Sequence, residues 1–322
     1  MRLIITDSLN IRSRSIYCVG GMNIDRKYHL DTPLKYGTSN PVNAINSCGG
    51  VGRNIAENLG RLNQQVSLLS IAGDDADYQS IYLACHSYMD LSHIDLLPDH
   101  NTSSYTAVLD DQGEMTFAFA DMAVCKQMND QWIQRHQDQL TTAEMVVADL
   151  NLQHSGIEAL IELCRIKQIP LILIPVSGPK MAHLPTDLEG VSWLIVNQDE
   201  SESFFNHEVH SDHDLSYLGQ SWLDLGIEQV ILTRGGRPCL YCSKKIGSNF
   251  YQPPQNPHVV DVTGAGDSFS AGLIYGISQS MPQEECLKYA MANAYYTVAA
   301  SQTVRPDLSP LQLKQDVQTL FY

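Results

Sequence analysis

The residues best suited to chemistry stand in one run, Asp261-Val262-Thr263-Gly264-Ala265-Gly266-Asp267. Phe269, Leu273 and Ile277 follow at the spacing of one helix face. Gly264 and Gly266 permit a tight turn with exposed backbone N–H groups, and the start of a helix adds its dipole, so the run forms an anion site suited to phosphate oxygens. Asp267 falls in the first helical turn. A carboxylate there can take a proton from an attacking hydroxyl while the N–H groups offset charge on a transferring phosphoryl group. The plainer alternative is that Asp267 caps the helix and the glycines make a turn.

Two further runs carry polar groups next to glycines. Cys48-Gly49-Gly50-Val51-Gly52-Arg53-Asn54 leads into a helix. Gly49 and Gly50 let a ligand approach the backbone, and Asn54 can reach a sugar hydroxyl; alternatively the run is a turn that packs a helix start. Gly20-Gly21-Met22-Asn23-Ile24-Asp25 follows the first strand. Asp25 there can accept from two neighbouring hydroxyls, or close the strand as an Asx turn.

Several classes are disfavoured, an NAD-binding oxidoreductase, the third rival reading, among them. No G-x-x-x-x-G-K-[ST] occurs, and Phe269 stands where a dinucleotide fingerprint needs its third glycine. Lys plus Arg total 20 against 36 Asp plus Glu, a net charge of −16 that disfavours nucleic acid and anionic membrane. No run approaches the roughly 20 apolar residues of a membrane helix. Residues 1–15 carry only Leu3-Ile4-Ile5 as an apolar stretch, so they read as a leader strand or frayed tail, not a signal peptide. The 8 scattered cysteines then read as reduced thiols of a cytoplasmic protein. Cys239 and Cys242 lie in a strand-like run, where residues three apart face opposite sides, which disfavours zinc. His207, His210 and His213 sit among Glu208, Asp212 and Asp214 and read as a solvated loop.

The elements that must position these runs alternate. Residues 16–20, 66–72, 145–148, 171–174, 194–196 and 229–233 read as strands; a helix through Ile55, Leu59 and Leu62, and others at 157–164 and 217–225, fall between them. Such alternation predicts an α/β fold with a mostly parallel sheet covered by helices on both faces. Residues 26–47 and 103–120 break the pattern. Residues 105–109 and 115–119 flank Asp110-Asp111-Gln112-Gly113, a hairpin signal. These segments predict a small β-sheet lid over the carboxyl ends of the parallel strands, with Val108 and Phe117 among its outward apolar positions.

Taken together, the segments 49–62 and 261–272 resemble the two signatures of the ribokinase-like (PfkB-type) carbohydrate kinases. The resemblance covers nearly the whole chain and implies one Rossmann-like domain with a lid. It implies that Asp267 is the catalytic base, that Gly264, Ala265 and Gly266 form the anion hole, and that Asn23, Asp25, Gly49, Gly50 and Asn54 hold the sugar. Asn197-Gln198-Asp199-Glu200 is similar to the family's N-x-x-E, in which the Asn reaches the phosphates and the Glu orders Mg²⁺ through water. Thr233-Arg234-Gly235-Gly236 looks like the turn bordering ATP, with Pro238 where the family has another glycine. Asp261 and Thr263 stand where some members bind a monovalent cation such as K⁺. Residues 101–105, 111–115, 147–151 and 175–180 are similar to members acting on pseudouridine, which adds Thr102, Ser103 and Lys180 as substrate contacts. Ile174 departs from those members, which carry Asp there.

The expected activity is ATP-dependent phosphorylation of a primary hydroxyl, that of pseudouridine foremost. Another sugar or nucleoside such as ribose, fructose or adenosine is the first alternative, and a non-catalytic sugar- or nucleoside-binding regulator the second. Related kinases pair their lids across a two-fold axis, so a homodimer through the lid sheet is expected.

Overall fold

Side chains alternate along β1 (Ile16–Val19): Ile16 and Cys18 enter one core layer, Tyr17 and Val19 the other. The computed structural model describes residues 15–322, so the expectation for the N-terminal segment falls almost wholly on residues 1–14, outside them. After β1 the chain leaves as β2 (Asn23–Leu30) and β3 (Val42–Gly49), then returns through α1 (Val51–Arg61) to β4 (Val66–Gly73). Next come α2 (Ala76–Cys85) and β5 (Ile94–Leu97), then a second excursion, β6 (Ser104–Leu109) and β7 (Met115–Asp121). Two short helices, α3 (Asp130–Arg135) and α4 (Gln137–Leu140), precede β8 (Met145–Asp149). The chain continues with α5 (His154–Lys167), β9 (Leu171–Ile174), β10 (Trp193–Asn197), α6 (Gln198–Phe205), α7 (Asp212–Asp224) and β11 (Gln229–Thr233). It ends with β12 (Cys239–Ser243), β13 (Gly247–Tyr251), α8 (Ala265–Ser278), α9 (Gln283–Thr297) and α10 (Pro310–Phe321).

The main sheet has the order β13-β12-β11-β10-β9-β8-β1-β4-β5. The strands from β11 to β5 run parallel, and β12 and β13 add an antiparallel edge. Helices α3, α5 and α7 cover one face, with Trp222 buried between Phe204 and Phe205. Helices α1, α2, α8 and α9 cover the other. Cys239 and Cys242 belong to these two opposite layers. Of the expected solvated loop, His210 lies exposed before α7, whereas His213, also exposed, falls with Asp212 and Asp214 in the first turn of α7, and His207 is half-buried. No helix among the described residues is long and apolar enough to cross a membrane.

The second sheet, β3-β2-β6-β7, is the expected lid. Its outer pairs are antiparallel, whereas β2 and β6 pair in parallel. The hairpin pattern could not show this: both strands leave the main sheet from the carboxyl ends of parallel strands, so they travel the same way. Val108, expected to point outward, is instead buried, in register between Tyr28 and Phe117. Phe117 and Phe119 keep exposed rings 5.3 Å apart.

From β1 the chain moves through β4 to β5 in one direction, and from β8 to β11 in the other. The crevice that binds ligands in such sheets therefore opens at the carboxyl ends of β1 and β8. Asp149, at the end of β8, is buried there. Its Oδ2 accepts the N–H groups of Gly21 and Gly52, both at 2.9 Å, and its Oδ1 accepts that of Asn151 at 2.8 Å. One side chain thus ties the end of β1, the start of α1 and the end of β8.

Asp149→Ala leaves three buried donors unpartnered, each worth about 1–3 kcal/mol. The variant is expected to lose at least about 3 kcal/mol, read as a lower urea midpoint at unchanged slope. An unchanged midpoint would show that these N–H groups find other acceptors.

Candidate active site

The approach of α1 to the end of β1 depends on glycine. Gly50 has φ 97°, and a Cβ there would lie 2.4 Å from the Gly21 carbonyl oxygen. A Cβ on Gly49 would lie 2.2 Å from Asp25 Oδ2, so the carboxylate of Asp25 sits directly against this backbone. Asn23 Nδ2 donates to Asp25 Oδ1 at 2.7 Å and fixes that carboxylate. Burial pushes the Asp25 carboxyl up, against the pull of Asn23, Arg53 and Lys27.

Arg53 lies beneath these residues and is 2% exposed. It donates to the carbonyls of Cys48 at 2.6 Å and Gly49 at 3.1 Å, pairs with Glu57, and donates to Asn54 Oδ1. With its carbonyl turned to the guanidinium, the Asn54 amide nitrogen must face the other way. It donates to Asp267 Oδ2 at 2.6 Å. Asp267 is half-buried in the first turn of α8. Burial is the main cause that pushes its carboxyl up to about 6; Asp149 and Asp25 add to the rise, and Asn54 and Arg53 oppose it.

Glycine shapes the turn before Asp267. Gly264 has φ 82° and packs against the Thr303 carbonyl, which a Cβ would approach to 2.3 Å. A Cβ on Gly266 would meet nothing, so this backbone borders open space. The first N–H groups of α8 lack carbonyls one turn back, although that of Ala265 reaches Val262 O at 3.2 Å. Beyond the turn lies a cavity of about 420 Å³. Asn197, Thr233, Gly235, Gly236, Ala265 and Gly266 all line it, with Phe269, Tyr295 and Val298 as apolar wall. Asn197 and Thr233 are register partners at the ends of adjacent parallel strands. Pro238 occupies the turn before β12, and the Gly236 carbonyl is held by Gln255 Nε2 at 2.6 Å.

Asn197 and Glu200 form a capping box on α6: Asn197 Oδ1 accepts Glu200 N–H at 2.8 Å, and Glu200 Oε2 accepts Asn197 N–H at 2.9 Å. Glu200 is buried, and its other oxygen has no hydrogen bond among the described residues. Burial, then Asp199 and Asp267, push its carboxyl up. A buried carboxylate with one open oxygen, within electrostatic reach of Asp267, fits a water-bridged Mg²⁺.

Thr102 and Ser103, expected as substrate contacts, are buried. Thr102 is 1% exposed, and its hydroxyl donates to Asp75 Oδ1 at 2.7 Å while its N–H donates to Oδ2. Ser103 is equally buried against Cys125 Sγ at 3.4 Å, and its carbonyl accepts Ile24 N–H. Both hydroxyls secure the base of the lid. Lys180 is half-buried in a 3₁₀ turn after β9. Ile174 is a core residue paired with Asp149. Asp261 and Thr263 are already bonded: Asp261 Oδ1 accepts the Thr263 N–H and hydroxyl at 2.9 and 2.6 Å, and Oδ2 accepts Lys27 Nζ at 2.8 Å.

Arg53, Asp149 and Lys27 are the residues that sequence reasoning missed. A signal existed for Arg53: Arg53, Glu57 and Arg61 repeat at i, i+4, i+8, an ion-pair ladder on the side of the helix opposite Ile55, Leu59 and Leu62. Asp149 lies in the 147–151 segment noted above, but its bonds to Gly21 and Gly52, like that of Lys27 to Asp261, join residues far apart in sequence, and nothing local marks them.

Comparison with known proteins gives the family and the fold. The model of the pfkB family of carbohydrate kinases matches residues 13–309. The chain is 30% identical over 297 residues to a pseudouridine kinase of Escherichia coli, covering 91% of this chain and 93% of that one. It is 26% identical to a guanosine-inosine kinase of Exiguobacterium acetylicum, covering 89% and 95%. A ribokinase of Arabidopsis thaliana, solved with ribose and ATP, superposes with a TM-score of 0.85 at 18% identity, covering 95% and 99%. The chain belongs to the pfkB family of carbohydrate kinases.

A ¹³C-detected titration of the Asp267 carboxyl is expected to read about 6. Removing a nearby cation disfavours the ionised form, so Arg53→Met should read higher and Arg53→Lys stay close to wild type. Equal values in all three would remove Arg53 from the electrostatics of this carboxylate.

Proposed function

We propose that the protein transfers the γ-phosphoryl group of ATP to a primary hydroxyl of a sugar or nucleoside, foremost the 5′-hydroxyl of pseudouridine. The observation that carries this reading is the position of Asp267. It stands at a helix start between Asn54 on the Asp25 side and a cavity of about 420 Å³ on the other. Asp25 and Asn23, against Gly49 and Gly50, receive the acceptor's hydroxyls, and Asn54 orients it beside Asp267. Asp267 then takes the proton of the attacking hydroxyl. The backbone N–H groups at 264–266 offset charge on the phosphoryl group. Asn197, Thr233, Gly235 and Gly236 border the nucleotide. Glu200 would hold Mg²⁺ through water, and the ion supplies positive charge to the phosphate oxygens. Lid closure over the acceptor keeps out water, the competing nucleophile. Lys180 serves as a contact to substrate from the loop after β9.

Similarity to the pseudouridine kinase over nine-tenths of the chain favours pseudouridine. Similarity to the guanosine-inosine kinase favours a purine nucleoside as the second reading. ATP consumption against pseudouridine, uridine, guanosine, inosine and ribose separates them. Eight free cysteines accord with a cytoplasmic location. Exposed Phe117 and Phe119 on the lid favour a homodimer through that sheet, because an isolated small sheet leaves apolar surface to cover.

Asp267→Asn is expected to bind ATP normally and lose at least ~10²-fold in kcat, the scale of general-base catalysis. In the wild type, kcat should fall as pH drops through about 6, because the protonated carboxyl cannot accept a proton. Activity of the variant within a factor of a few of wild type would reject Asp267 as the base. Light scattering tests the assembly: the wild type should run as a dimer and Phe119→Asp as a monomer. A wild-type monomer at micromolar concentration would sink the dimer while leaving the kinase reading in place.

A further inference from the structure

The turn before the anion site holds a cation of its own. Lys27 lies on β2 two residues after Asp25, so both side chains leave the same face of the lid. Its ammonium reaches Asp261 Oδ2 at 2.8 Å, an ion pair 38% and 30% exposed at its two ends. The other carboxylate oxygen, Oδ1, already takes the N–H and hydroxyl of Thr263. The neighbouring Val298 carbonyl is likewise taken, by the N–H groups of Val260 at 2.7 Å and Asp261 at 3.2 Å. A free monovalent cation needs several oxygens that are not already occupied. Here the carboxylate is surrounded by donors, and the positive charge arrives on a side chain. Despite the burial that opposes it, this company holds the Asp261 carboxyl down at about 2, so it stays ionised.

The geometry points to Lys27 as a built-in monovalent cation. Its ammonium, a compact point charge, fixes the 261–263 turn that leads into Gly264 and Asp267. It also ties that turn to the strand carrying Asp25. Free K⁺ then has no role at Asp261, and the ordering of the turn is linked to closure of the lid. The inference rests on the kinase reading for its consequence at the nucleotide, but not for the ion pair itself.

The test compares wild type, Lys27→Met and Lys27→Arg in KCl and in tetramethylammonium chloride of equal ionic strength. ADP affinity is read by calorimetry and the melting temperature without nucleotide. Wild type and Lys27→Arg should give the same values in both salts. Lys27→Met in tetramethylammonium should bind ADP about two- to fivefold more weakly, the size of a partly exposed ion pair. K⁺ should restore that loss and raise the melting temperature of Lys27→Met alone. Wild type responding to K⁺ as strongly as Lys27→Met, or Lys27→Met indifferent to both changes, would overturn the proposal. The melting readout needs no nucleotide, so a chain that bound no ADP would defeat the kinase reading and still decide the role of Lys27. If Lys27→Met did not fold, Asp261→Asn supplies the second variant. It should weaken ADP binding without rescue by K⁺, and rescue there would again count against the ion pair.

Discussion

Asn54 and Asp267 are 213 positions apart, and the 2.6 Å bond between them joins the start of α1 to the start of α8. Much of the site depends on how that bond is enforced. An amide can turn either end toward a carboxylate, and only its N–H end is attractive. Arg53 removes the choice by taking the Asn54 oxygen, and Glu57 with two backbone carbonyls holds Arg53 in place. A buried arginine without such partners would be costly. With them it supplies positive charge that offsets two neighbouring carboxylates, Asp25 and Asp267. Burial still dominates, which leaves Asp267 near 6, ionised at neutral pH yet basic enough to accept a proton.

The main sheet explains why these groups meet. Parallel strands deliver their carboxyl ends to one edge, and the reversal of strand order at β1 and β8 opens a crevice there. Asp149 seals the bottom of that crevice with three backbone hydrogen bonds. Asn197 and Thr233 arrive at the same edge from β10 and β11, on the side of the cavity. Asp25 arrives from β2 on the other side. Asp267 lies between the two because α8 starts there.

The lid is tied down mainly by charge near its base. Arg26 and Lys27, adjacent on β2, point to opposite faces of the strand. Arg26 pairs with Asp77 of α2 at 2.6 Å, and Lys27 with Asp261. Ion pairs this exposed are worth at most about 1 kcal/mol each. They hold the sheet weakly, whereas the base of the lid, where Thr102 bonds Asp75, is buried.

The sequence by itself determined the layer architecture, because period-two runs alternating with helix-period runs leave few ways to bury both faces of a sheet. It also determined the three glycine-flanked runs of the site, since glycine is needed wherever backbone must approach backbone or ligand. Tertiary structure decided what those local patterns cannot carry. The parallel pairing of β2 with β6 follows from where each strand leaves the main sheet. The burial of Val108 follows from its register partners, and that of Thr102 from Asp75 being brought beside it. Cys239 and Cys242 were separable from sequence because strand geometry is local. Lys27 and Asp261 were not, because they are 234 positions apart and only the docking of the lid places an ammonium on that carboxylate.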